Sequence, residues 1–117
     1  MTFAQRRYVD QLLDLYRRTP GTTGHVRPAD RSLAACLASR GIPLGTVRDA
    51  LLLAVARRTL RPDQAPPLPP IRSLHYILPI LDELLADPPD PGYLHYLHYR
   101  LASLAPALVL PIDHQFP

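Results

Sequence analysis

The sequence predicts an all-α fold: a compact bundle of about five helices, with a proline-rich connector at 61–70 and an extended C-terminal tail at 106–117. Three observations predict it. Apolar residues recur at helical spacing in five separate segments. Proline, glycine and aspartate punctuate the gaps between those segments. No stretch alternates apolar and polar residues with the regularity of a strand. At 117 residues and 47% hydrophobic content, the chain fits one domain over 1–117; a chain of this size buries roughly two-thirds of its unfolded surface. The longest apolar run, residues 50–56, is far short of the ~20 residues a membrane span needs.

The first helix is expected over about 3–18, capped by Thr2, with Val9, Leu12, Leu13 and Tyr16 forming one apolar stripe. Thr19-Pro20-Gly21 stops it. Pro28 suits the first turn of a second helix, about 28–39, whose expected inner face is Leu33, Cys36 and Leu37. Gly41 stands where a left-handed cap is wanted. Pro43 opens a third helix, about 43–60, with Leu44, Val47, Leu51, Ala54, Val55 and Arg58 along one side. Leu52 and Leu53 widen its apolar surface, which makes it the central, most buried helix.

Residues 61–70 hold five prolines and are expected as an extended, polyproline-like spacer; a ligand for a proline-binding module is the less favoured use. A fourth helix is expected over about 72–86, with Leu74, Ile77, Leu78, Leu81 and Leu85 inward. Pro79 within it removes the hydrogen bond to the His75 carbonyl and predicts a kink. Asp90 and Pro91 start a fifth helix, to about 104, striped by Leu94, Leu97, Leu101 and Leu104. In the tail, Leu108 and Leu110 are expected to pack onto the bundle.

All 13 basic residues are arginine. Residues 1–61 carry eleven of them against Asp10, Asp14, Asp30 and Asp49, a balance of +7. Residues 62–117 carry Arg72 and Arg100 against six acids, a balance of −4. A basic half is the electrostatic footprint that a phosphate backbone requires. The competing reading is a solvated surface, or a face that docks an acidic partner. Arg17-Arg18 and Arg57-Arg58 fall at expected helix C-termini, where cations complement the helix dipole. The single Cys36 excludes an internal disulfide and a Cys-based zinc site, and it fits a reducing compartment. Its apolar neighbours predict that it is buried and inert. No apolar stretch follows the start of the chain, so no secretory signal is expected, and the expected location is cytoplasmic.

The segment Tyr76-Ile77-Leu78-Pro79-Ile80-Leu81-Asp82-Glu83-Leu84 resembles the aromatic-helix motif of the C-terminal domain of DnaD/DnaB-type primosomal proteins, the helicase-loading replication factors of bacteria and their phages. Tyr76, Ile77, Ile80 and Leu81 match in register, and Leu84 stands where the family has tryptophan. The upstream order also fits, with a helix ending at Arg40-Gly41 and then Val47, Ala50 and Leu51 on an apolar helix. The resemblance covers about 28–86. It implies an accessory role in replication, contact with DNA and a helicase-like or other replication partner.

On the residues themselves, tyrosine rings beside arginines make a platform for single strands. The expected DNA-contacting set is Arg6, Arg7, Arg48, Arg57, Arg58 and Arg72 on phosphates, with Tyr76 stacking on bases. The bland alternative makes Ile77, Leu78 and Leu81 core, with Tyr76 at its edge. A second cluster, Tyr93, His95, Tyr96, Tyr99 and Arg100 on the fifth helix, reads as a partner-binding or homo-oligomer surface. His95 and His98, even with His75, lack the spacing of a recognised metal site. Residues 33–51 read loosely as a helix-turn-helix presenting Thr46, Arg48 and Asp49, against which an ordinary helical hairpin is favoured. No nucleophile–base pairing or phosphate-cradling glycine loop is visible, so no catalytic residue, metal or cofactor is expected. The expected function is a non-catalytic, DNA-associated accessory protein of replication or of a mobile element. The alternative is a protein-interaction module or small homodimer working without nucleic acid.

Overall fold

A computed structural model describes residues 1–102. The described residues form five α-helices and one short 3-10 turn, with no strand. Helix α1 spans Phe3–Arg18, α2 Pro28–Ser39, α3 Leu44–Thr59, α4 Leu78–Ala86 and α5 Pro91–Leu101. The tail expected at 106–117, and Leu104 of the expected fifth stripe, lie outside the described residues.

Local chemistry sets the boundaries. Thr2 and Gln5 cap α1 reciprocally: Gln5 N–H donates to Thr2 Oγ1 at 3.1 Å, and Thr2 N–H donates to Gln5 Oε1 at 3.0 Å. The chain leaves α2 through Gly41 at φ 71, a left-handed conformation that other residues adopt at a cost. Asp90 Oδ1 accepts the Gly92 N–H at 3.1 Å and starts α5, with Pro91 in its first turn.

Helix α3 is the axis of the molecule, packed by α1, α4, α5 and the 3-10 turn. All seven residues from 50 to 56 are buried, so α3 is apolar on every side, as a helix wrapped by neighbours must be. The expected α1 stripe is buried as read, joined by Leu15.

Two inner faces differ from expectation. In α2 the buried residues are Asp30, Ala34 and Leu37; Leu33 is half-buried and Cys36 is exposed. The fully buried carboxylate of Asp30 sets this rotation, because its partners lie on the 3-10 turn. The second difference is the expected fourth helix. Residues Leu74–Ile77 wind as a 3-10 turn, and α4 begins at Leu78 with Pro79 in its first turn. Proline clashes with a carbonyl four residues back, so a continuous α-helix through His75 would be kinked or broken. The Leu78 N–H takes the His75 carbonyl in a tighter bond, and no kink is needed. The re-phasing buries Ile80 and Leu84 and leaves Leu85 41% exposed.

Candidate nucleic-acid interface

The last turn of α3 carries Arg57 and Arg58, and the two side chains take different surroundings. Arg58 reaches under the proline connector. Its Nη2 donates to the Pro69 carbonyl at 2.6 Å, and its guanidinium carbon lies 5.7 Å from the centre of the Tyr76 ring. That distance is within cation–π range. The end of α1 passes on the other side through Gly21 at φ 91. A Cβ at Gly21 would lie 3.2 Å from Arg58 Nε, so a side chain there would both strain the turn and press on the guanidinium.

Three devices hold the connector and the 3-10 turn against the bundle. Ile71 is buried, and it bridges to the α1–α2 loop: Ile71 N–H donates to the Gly21 carbonyl at 2.7 Å, and Thr23 N–H donates to the Ile71 carbonyl at 3.0 Å. Asp30 accepts from the backbone N–H groups of Arg27 and Leu74, both at 2.9 Å, and from the Ser73 hydroxyl at 3.1 Å. Burial pushes the Asp30 carboxyl up, but these donors outweigh it and hold the group below its ordinary value. Finally, Ser73 Oγ caps the 3-10 turn by accepting the His75 N–H at 3.1 Å, and it lies 2.9 Å from His75 Nδ1.

Asp30, Ser73 and His75 therefore form a chain with the hydroxyl in the middle. An ionised carboxylate can only accept, so the hydroxyl proton faces Asp30 and the imidazole Nδ1–H donates to Ser73 Oγ. A general base must take the hydroxyl proton. Here that proton is directed at Asp30, and the Ser73 hydroxyl orients His75.

Two adjoining hollows result, of about 320 and 590 Å³. They share Arg58 and Leu68. Arg61 lines the first; Arg72, His75 and Tyr76 line the second; no carboxylate lines either. Among the described residues, Arg58, Arg61 and Arg72 have no carboxylate partner. Tyr76 is 43% exposed, so one part of its ring faces solvent while Arg58 lies over it.

Of the sequence-derived set, Arg58, Arg72 and Tyr76 come together. Arg57 lies near them but is paired, and Arg6, Arg7 and Arg48 lie elsewhere. Arg57 meets Glu83 of α4 at 2.7 Å, a pairing that raises the arginine's pKa and lowers the glutamate's. Arg48 and Asp49 form a largely buried pair at 2.7 Å beside His95 and His98 of α5. Burial pushes the Asp49 carboxyl up, and Arg48 partly offsets this. Thr46 and this pair sit against α4 and α5, so α3 is a packed helix and not an exposed reading helix. Arg6 and Arg7 are exposed near the start of α1, roughly 16 Å or more along the helix from its basic end.

Arg61 and His75 are the two site residues that sequence reasoning missed. The available signal was their position, at the first residue of the connector and in the turn that follows it.

In the motif that carries the family resemblance, Ile77, Ile80, Leu81 and Leu84 are buried, and Tyr76 is at the surface. On α5, Leu97 and Leu101 are buried while Tyr93, Tyr96 and Tyr99 are exposed, Tyr99 at 79%. Arg100 Nη1 donates to the Tyr96 hydroxyl at 2.6 Å, and its guanidinium also lies over that ring. His95 is exposed. Among the described residues, no three histidine, cysteine or acidic side chains gather to hold a metal, and no helix is long and apolar enough to cross a membrane. Comparison with protein-family models, curated proteins and solved structures gave no match.

Proposed function

We propose that this chain is a non-catalytic domain that binds DNA in single-stranded form, at the end of the bundle where Arg58, Arg61, Arg72, His75 and Tyr76 meet. One observation carries this reading: an exposed tyrosine ring backed by a guanidinium, in hollows lined by three arginines and no carboxylate. An aromatic face accepts a base only when the base is free of its own stack, which favours single strands over duplex. The arginines suit phosphate through their planar fork. A role as an accessory factor of replication or of a mobile element, with a helicase-like partner, rests on the resemblance over 28–86.

The test is fluorescence anisotropy with labelled single- and double-stranded oligonucleotides at two salt concentrations. The single strand is expected to bind more tightly, and Tyr76→Ala to weaken it by about 1–3 kcal/mol, the usual worth of one stacked base. Absence of binding at low salt, or a Tyr76→Ala variant that binds normally, rejects the reading.

A second reading has its own support in the exposed tyrosines of α5, which fit a protein partner or a second copy. A light-scattering mass above that of one chain, reduced by Tyr99→Ala, favours it.

A further inference from the structure

The proline connector has no part in base stacking, yet it is held against the bundle by the Arg58 bond to Pro69 and the Ile71 bridge. Its core reads Ala65-Pro66-Pro67-Leu68-Pro69-Pro70-Ile71-Arg72. Each proline fixes its own φ near −65° and pushes the residue before it out of the α region. Four prolines in five positions therefore favour an extended, polyproline-type conformation, which has three residues per turn. No backbone–backbone hydrogen bond joins residues 66–70 to one another.

A three-residue repeat gives the segment three edges: Pro66, Pro69 and Arg72; Pro67 and Pro70; Leu68 and Ile71. Their surroundings differ. Ile71 is 2% exposed and anchors the third edge in the bundle, while Leu68, 42% exposed, lies beside Arg58 at the rim of both hollows. The four prolines and Arg72 are exposed. Pro67 borders one hollow, and Pro69 and Pro70 border the other, so the segment stands as a crest with a depression on each flank. The Arg58 bond to the Pro69 carbonyl and the Ile71 bridge fix the crest before any partner arrives.

We infer that this crest is a docking ridge for a protein module that recognises polyproline helices, with a groove lined by aromatic side chains and bordered by carboxylates. Such grooves receive proline-rich segments of the Pro-x-x-Pro type in their preformed conformation. Pro67 and Pro70 supply that spacing, and both prolines are exposed. Arg72 lies two residues beyond Pro70, exposed and without a carboxylate partner of its own. It supplies the cation that a carboxylate at the groove's end pairs with, and so fixes the direction in which the ridge is read. Because the segment is already immobilised, little conformational freedom remains to be lost on docking.

The test is an isothermal titration of the full chain, and separately of the free octapeptide 65–72, with an isolated SH3 domain that selects Pro-x-x-Pro-x-Arg ligands. The full chain is expected to bind at least as tightly as the octapeptide. Pro67→Ala with Pro70→Ala, and independently Arg72→Glu at its exposed position, are each expected to weaken binding about tenfold, the scale of losing one well-placed charge pair or anchor. An octapeptide that binds while the full chain does not overturns the inference. So does an octapeptide that fails to bind, or an Arg72→Glu chain that binds as well as the parent.

Discussion

Asp30 shows how one residue can position a surface site without touching it. Its carboxylate is fully buried, and three donors from two segments converge on it. Replacing it by asparagine keeps the shape but turns one accepting oxygen into a donor that faces another N–H. Asp30→Asn is therefore expected to lower the unfolding free energy by about 2–3 kcal/mol at pH 7, the usual loss for hydrogen bonds to a charged group. The pH dependence has a definite sign. The folded carboxyl lies below its unfolded value of roughly 3.9, so its stabilisation is present above that value and is lost as pH falls through the folded one. Urea unfolding at pH 7 and at pH 3 checks this: the gap between parent and variant is expected to shrink in acid. A gap that stays constant would remove the carboxylate from its assigned role.

Helix by helix, the sequence is legible where local chemistry decides. Thr2, Pro28, Gly41 and Asp90 mark the boundaries of α1, α2 and α5 because caps and φ preferences act over three or four residues. Helical spacing also locates α3 at the centre, since a helix with no polar face has nowhere else to go. The failures are long-range. Cys36 is exposed because Asp30 anchors α2 to a segment 43 residues away. Ile71 is core although it stands alone beside prolines, with no period to reveal it. Pro79 predicts a kink in one helix, whereas it stands in the first turn of α4 after a 3-10 turn. That placement is testable. A first-turn proline needs no N–H, so Pro79→Ala is expected to cost only about 0.4–1 kcal/mol, through the freer unfolded chain. A proline that kinked a continuous helix would be replaced with a net gain, because its missing bond and clash amount to roughly 3 kcal/mol. The midpoint of urea unfolding, at constant slope, distinguishes the two outcomes.

Across the whole molecule, the split between a basic front and an acidic rear resolves largely into local pairs. Arg17 and Arg18 face Asp14, Arg31 faces Asp10, Arg48 faces Asp49, and Arg57 crosses to Glu83. Composition can count these charges but cannot place their partners, which is why Arg57 read as a phosphate ligand while Arg61 passed unnoticed. Pairing does not erase the long-range field, since exposed pairs interact weakly in water. It does change which arginines can release counterions on binding. For single strands, the slope of log K against log salt is about −0.7 for each phosphate neutralised. Contacts by Arg58, Arg61 and Arg72 alone are expected to give a slope of about −2, against about −4 for the six arginines that sequence analysis selected. Anisotropy titrations between low and moderate salt measure the difference directly. Arg72→Glu is expected to make the slope shallower by about 0.7. Arg6→Glu with Arg7→Glu is expected to leave it unchanged, because those side chains stand roughly 16 Å or more along α1 from the site. A slope near −4 that flattens when Arg6 and Arg7 are reversed would move the interface to the far end of α1, and Tyr76 would lose its place in it.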